Sequence, residues 1–265
     1  MANVAVVLDA CVLYPMYLRD TLLSIAEAGL YLPYWSQKIL DEATKNLVSK
    51  GIKTPEEARK FEAIIKEAFP EAMVEVPPGL AEVMTNHPKD RHVLATAIVA
   101  KADIIVTDNL PDFKAEDLNP WNVKAQSPDE FLTDLFDDEP DLIVQVVRQQ
   151  SNKYKKRKLT FAELLDFLGK KAKVPTFATN VLFYEYCEFV VQTAIKALSN
   201  CGRPTREGGR FLEGERYKLY QRGQSLTITA KDGRGEILRM QDDEIDGNLS
   251  SEDVKVFEIF AQSLE

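Results

Sequence analysis

The sequence predicts an α/β fold, a central parallel sheet covered by helices, followed by a small C-terminal α+β module. Three observations predict it. The runs Val4–Leu8 and Ile104–Thr107 are short, apolar and rich in β-branched residues, as strands buried on both faces are. Helical stretches with clear start and stop signals lie between and after them. Beyond about residue 177 the texture changes to one long apolar helix, a glycine- and arginine-rich stretch and alternating strands.

Taken in order, the first strand runs from Val4 to Leu8 and ends at Asp9. Leu18 to Ala28 reads as a helix stopped by Gly29. A second helix starts at Ser36, a good N-cap, and runs to Lys50 with Gly51 as its stop. Thr54-Pro55-Glu56-Glu57 opens a third with a cap, a proline at the first helical position and acids in the first turn. Another spans about Pro88 to Ala102 and feeds the strand Ile104–Thr107. Val123 to Ala125 is a last short strand, and helices follow near 128–136, 140–151 and 160–171. The basic run Lys153 to Lys158 reads as a solvated loop. A helix from about Phe177 to Asn200, a linker from Gly202 to Gly214, strands within Arg216–Met240 turning at Asp232-Gly233, and a closing helix Ser251–Leu264 complete the chain. The expected division is 1–140, a helical extension 141–176, and a module 177–265 of unassigned role.

Of the 265 residues 45% are hydrophobic, which is enough to build a core, and no stretch is apolar for the roughly 18 residues a membrane span needs. The N-terminus lacks a basic leader region, and three scattered cysteines (Cys11, Cys187, Cys201) form no disulfide or zinc pattern, so a cytoplasmic location is expected. Charge is uneven. Residues 1–150 carry 14 Lys and Arg against 25 Asp and Glu, whereas residues 151–265 carry 19 against 17. A chain of net charge −9 is a poor nonspecific nucleic-acid binder, so any polyanion site is local.

The two histidines, His87 and His92, are five apart rather than the four that a helical zinc pair needs, and read as surface or capping residues. No phosphate-cradling glycine loop of the P-loop or dinucleotide type occurs. Carboxylates remain. Asp9 and Asp108 each follow a buried strand, at the sheet end where open α/β folds bind ligands. Asp90 falls on the stripe formed by Val93, Leu94, Ala97 and Ile98, where an unpaired charge is costly. Glu42 flanks the stripe Ile39, Leu40, Ala43 and Leu47. Together Asp9, Glu42, Asp90 and Asp108 predict one acidic pocket, tolerable only with a cation, and all-oxygen ligands suit Mg²⁺ or Mn²⁺. The competing reading takes the same acids as caps and turn residues.

At these residues the chain resembles the PIN-domain family of metal-dependent ribonucleases, in its VapC-like bacterial toxin branch. The segments that carry the resemblance are Leu8-Asp9-Ala10-Cys11-Val12-Leu13-Tyr14-Pro15, Leu18-Arg19-Asp20 and Trp35 to Glu42. The strongest are Lys89-Asp90-Arg91-His92-Val93-Leu94-Ala95-Thr96-Ala97 and Ile105 to Phe113. The resemblance covers roughly residues 3–140 and extends through the helices to about 175. It implies a PIN-like α/β/α sandwich and RNA phosphodiester hydrolysis with Mg²⁺ or Mn²⁺. Asp9, Glu42 and Asp90 match three family acids, and the fourth is Asp108 or Asp112, with Asp108 favoured as nearer the strand end. The resemblance implies that Asp9, Asp90 and Asp108 hold the metal. Glu42 holds a second ion or orients water, and Thr107, Asn109 and Asp112 are candidate substrate contacts. Cys11 departs from the polar residue frequent there in relatives.

The implied partners are an RNA substrate, an inhibitory antitoxin and a second copy of the chain. A phosphatase with a DxDx[TV] motif is disfavoured because Cys11 stands where its second acid belongs. The alternative function is a catalytically weak RNA- or protein-binding module, against which the retention of all four acids argues. In the tail, the stripe Phe183, Tyr186, Val190, Ala194 and Ala197 would pack internally or dock a partner, and Arg203, Arg206 and Arg210 are candidate phosphate contacts.

Overall fold

The computed structural model describes residues 4–154 and 159–184, together with strands at 217–222, 225–230, 236–241 and 244–245. The chain divides into two compact units, Met1–Leu182 and Phe183–Glu265.

In the first unit β1 (Val4–Leu8) begins with the β-branched run and is buried over its last three residues. It ends where Asp9 turns the chain into the single turn α1 (Ala10–Leu13). The helix α2 (Met16–Glu27) follows and stops at Gly29, whose φ of +83° only glycine takes freely. Then come β2 (Tyr31–Ser36), α3 (Gln37–Ser49), α4 (Pro55–Ala68) and the two-residue β3 (Met73–Val74). α5 (Arg91–Ala100) leads into β4 (Ile104–Val106), and a single helical turn α6 (Ala115–Leu118) into β5 (Lys124–Gln126). Three helices follow: α7 (Pro128–Asp138), α8 (Pro140–Lys153) and α9 (Phe161–Lys170), before a helical run over 175–184.

The five strands form one parallel sheet in the order β3-β2-β1-β4-β5. From β1 the chain first builds outward through β2 and β3, then crosses back to lay β4 and β5 on the other side. The order therefore reverses between β1 and β4, the place where open α/β sheets leave a crevice. Helices flank the sheet: α5 packs on β1, β2 and β4 with α3 beside it, and α2 packs on β2 with α8 and α9 against it. The core is dense with fully buried residues from Val6, Val7 and Leu8 through Trp35, Ile39, Leu94 and Ile105 to Leu132 and Phe177, each large apolar side chain contributing roughly 1.5–3 kcal/mol. Tyr31 meets the Phe131 ring edge-on at 5.0 Å and donates its hydroxyl to the Leu22 carbonyl at 2.9 Å, which ties α2, β2 and α7 together.

The α/β fold with a parallel sheet is as the sequence predicts, and three local details differ. β2 is missing from the sequence reading, because Pro33 argues against an interior strand. It is accommodated because β3 pairs only with Trp35 and Ser36, which leaves the outer edge of β2 unpaired at Pro33. β3 itself is too short to carry a pattern. The helix expected from Pro88 starts at Arg91, with Asp90 as its N-cap in a non-helical conformation (φ −108°, ψ 6°), so Asp90 does not lie on the helix's apolar stripe.

In the second unit, β6 (Tyr217–Arg222), β7 (Ser225–Ala230), β8 (Glu236–Gln241) and β9 (Glu244–Ile245) form an antiparallel sheet in that order, in the stretch where the alternation predicts strands. The turn Asp232-Gly233, the linker 202–214, the three tail arginines, the stripe residues from Tyr186 on, the closing helix and residues 155–158 of the basic run lie outside the described residues.

Candidate active site

The pairing of β1 with β4 sets Leu8 opposite Val106, so Asp9 and Thr107 leave the sheet side by side. The Asp9 N–H continues the ladder to the Val106 carbonyl at 3.1 Å, and the Thr107 N–H does the same to Gln126 at 3.0 Å. Asp9 is buried, and its carboxylate is held from both ends. Oδ1 accepts from the Ala10 N–H at 2.6 Å; Oδ2 accepts from the Thr107 hydroxyl at 2.7 Å and from the Cys11 thiol at 3.2 Å. Cys11 thus makes the polar contact its position calls for. It also accepts from the Asp108 N–H at 3.2 Å, and burial, reinforced by Asp9, pushes the thiol far above its ordinary range, so it stays protonated.

Asp90 caps α5 in position only. Its side chain makes no bond to its own helix and turns toward the loop after β4. There the Asn109 amide donates to Asp90 Oδ2 at 3.4 Å and to Asp112 Oδ2 at 2.5 Å, while His87 Nδ1 stands 3.6 Å from each of the same two oxygens. His87, Asp90 and Asp112 offer ligand atoms all within 4.8 Å of one another, a set that among the described residues includes neither Asp9 nor Asp108. The Asp90 carboxyl is pushed up to about 6. Burial is the main cause, followed by its hydrogen bond with Asp112 and repulsion from Asp9 and Asp112, with His87 opposing. Asp112 is held below the usual range, chiefly by the Asn109 amide.

Glu42 projects from α3, half-buried, and burial raises its carboxyl; Asp9 and Asp90 add to this and Lys38 opposes it. Its Oε2 lies 3.3 Å from Nε2 of His92, out of line for a hydrogen bond. His92 is buried, and that burial, with Lys38 nearby, drops its pKa to about 4, so it is neutral at pH 7. Asp108 stands at the solvent-facing rim; partial desolvation raises its carboxyl, Lys173 opposes this and Asp9 adds to it.

The structure therefore brings Asp9, Glu42 and Asp90 within electrostatic reach of one another and places Asp112, rather than Asp108, against Asp90. Thr107 is fully buried, and its hydroxyl donates to Asp9. Asn109 spends its amide on Asp90 and Asp112. Both side chains are thus held against the acids Asp9, Asp90 and Asp112. His87 and His92, read from the sequence as surface or capping residues, both approach site acids; His92 is moreover buried. Helical spacing gave no sign of it, because the partners Glu42 and Asp112 are distant in the chain.

Residues 5–110 match the PIN domain family, and residues 128–182 match the VapC50 C-terminal domain. Over 99 residues the chain is 41% identical to "Putative ribonuclease VapC50" of Mycobacterium tuberculosis (strain ATCC 25618 / H37Rv), a stretch that covers 37% of this chain. It covers 57% of that relative, so the chain spans just over half of the relative's length. No solved structure matches the chain at comparable significance. The acids gathered at the reversal of the sheet all fall within or just beyond the first matched stretch, and the helices α7 to α9 fall within the second. Over residues 5–110 the chain is thus similar to the PIN domain family, and over residues 128–182 to the VapC50 C-terminal domain.

Proposed function

We propose that the protein is a divalent-metal-dependent endoribonuclease that hydrolyses RNA phosphodiester bonds and acts as a VapC-like toxin. The observation that carries this reading is the meeting of acids from separate stretches of chain, Asp9, Glu42 and the Asp90–Asp112 pair, where β1 and β4 end. The name of the M. tuberculosis relative, a ribonuclease, supports it. Crowded carboxyls with one pKa pushed up to about 6 fit a cation, which would make their joint ionisation tolerable. The oxygen-rich donor set suits Mg²⁺ or Mn²⁺.

Asp9, Asp90 and Asp112 would hold the ion; Asp108, favoured from the sequence for the third place, stays at the rim. Such an ion, when bound, supplies an activated water and positive charge against the phosphoryl oxygens. Thr107, the Cys11 thiol and the Ala10 N–H fix the orientation of the Asp9 carboxylate, and Asn109 holds Asp90 and Asp112 together. Glu42, whose carboxyl burial raises above its ordinary range, would accept the proton of the attacking water. Lys38 beside Glu42 and Lys173 beside Asp108 are local cations for the RNA phosphates in an otherwise acidic setting.

The test is cleavage of single-stranded RNA by the full chain with Mn²⁺ or Mg²⁺ against a chelator control, beside Asp9→Asn and Asp90→Asn. Each variant is expected to lose at least about a hundredfold, since losing a ligand costs no less than losing a residue that orients one. Equal cleavage by all three contradicts the proposed site, and RNA binding without turnover under any divalent ion contradicts the activity and favours a binding module. On this reading the protein works in the cytoplasm, with an antitoxin protein and a second copy of itself as partners. Among the described residues no helix is long and apolar enough to cross a membrane.

A further inference from the structure

His87 has no part in the scheme above, yet its placement is fixed. It lies in the turn before α5. Its N–H donates to the Asp112 carbonyl at 3.4 Å, and its own carbonyl accepts from the Asp90 N–H at 2.9 Å. The backbone of His87 is thus pinned to the two residues whose carboxylates its ring faces. Nδ1 stands 3.6 Å from Asp90 Oδ2 and 3.6 Å from Asp112 Oδ2. Both distances are too long for hydrogen bonds, and the ring nitrogen stands equidistant from the two carboxylates. The distances fall between the separations of neighbouring ligand atoms (about 3 Å) and opposite ones (about 4 Å) around one octahedral ion, so a small adjustment brings all three groups onto it. The ring is half exposed, so solvent and a hydrated ion can reach Nδ1. Asn109 cannot serve in its place, because it presents its amide nitrogen, a donor, to the same two oxygens.

We propose that His87 Nδ1 is a metal ligand beside Asp90 and Asp112, and that this nitrogen biases the site toward Mn²⁺ over Mg²⁺. Both ions favour oxygen ligands, but Mg²⁺ dehydrates reluctantly and keeps its waters, so an added imidazole nitrogen is the more readily accepted by Mn²⁺. The inference rests on the metal-dependent reading above and deepens it by naming a ligand and a selectivity.

The experiment uses chelator-stripped full-length protein. Mn²⁺ binding is measured by calorimetry, Mg²⁺ binding by competition against Mn²⁺, and nitrogen coordination by pulsed electron paramagnetic resonance of the Mn²⁺-loaded protein. His87→Ala and His87→Gln are compared with the wild type, with circular dichroism as the check of folding; should the alanine variant unfold, the glutamine variant decides. The wild type is expected to show ¹⁴N coupling to Mn²⁺ that both variants lack. Mn²⁺ affinity should fall roughly tenfold or more in the variants while Mg²⁺ affinity changes less than about twofold. Unchanged ¹⁴N coupling and Mn²⁺ affinity in the variants overturns the role of His87 and leaves the metal-dependent nuclease reading standing. A wild type that binds neither ion removes both.

Discussion

Asp90 is the acid whose surroundings most oppose its charge. With its carboxyl pushed up to about 6 in the fold, above the ordinary 3.8, its contribution to stability is full below the unfolded value and is lost as pH rises through about 6. In metal-free protein, Asp90→Asn should therefore raise the melting temperature at pH 7.5, by the equivalent of about 1–2 kcal/mol, and the advantage should vanish near pH 4. Calorimetric melts at both pH values in a chelator check this; a variant less stable than wild type at pH 7.5 would contradict it. Thr107 makes the opposite case, a neutral side chain on which a charged one depends. Thr107→Val keeps the shape but removes the hydroxyl that Asp9 Oδ2 and the Asn109 N–H share. We expect a loss of about 1–2 kcal/mol in a urea melt and a 10- to 100-fold drop in RNA cleavage by the protein that remains folded. At this scale the sequence reveals the acids but not their partnerships. Asp9 is legible because a buried strand ends on it. The link from Asp90 to Asp112 depends on the Asn109 amide, which no spacing rule connects to residue 90.

Elements were most legible where a local signal is self-contained. Thr54 accepts from the Glu57 N–H while the Glu57 carboxylate accepts from the Thr54 N–H, with Pro55 between, so α4 starts where its first four residues say it should. The same reciprocal capping opens α7 at Ser127 and Glu130 and α9 at Thr160 and Glu163. Because α4 carries no site residue, Thr54→Ala should cost about 1 kcal/mol, a shift of a few degrees in melting temperature, and leave the cleavage rate per folded molecule unchanged. Thermal melts paired with the RNA assay test it; a fall in rate would tie α4 to the site. β2 was less legible because its local chemistry conflicts with its place in the fold: Pro33 belongs at an edge, and only the shortness of β3 gives it one. Asp90 was misplaced for a similar reason. A carboxylate two residues after Pro88 fits either the first turn of a helix or its cap, and the side chain's partner across the sheet end decides between them.

For the whole molecule, topology makes distant residues neighbours. The reversal of strand order between β1 and β4 sets residue 9 beside residue 107, and α3 and α5 carry residues 42 and 90 to the same crevice. That Asp9 emerges at the end of one strand beside the next was legible once the two strands were recognised; that Asp112, and not the strand-ending Asp108, stands against Asp90 was not, because the loop after β4 decides it. The net charge of −9 has a consequence at the same scale. If RNA is held mainly by an ion and by the local cations Lys38 and Lys173, about two phosphates are neutralised by side chains. The slope of log affinity against log salt, measured by fluorescence anisotropy with Asp90→Asn, should then be no steeper than about −2. A slope near −5 would place the RNA on a basic surface elsewhere. The measurement that bears most directly on the account is the anomalous signal of a crystal soaked in Mn²⁺. The account predicts a peak within coordination distance of both Asp90 and Asp112 on the side facing Asp9. A chain whose acids scatter no such density there, or whose Mn²⁺ settles on other carboxylates, would contradict it.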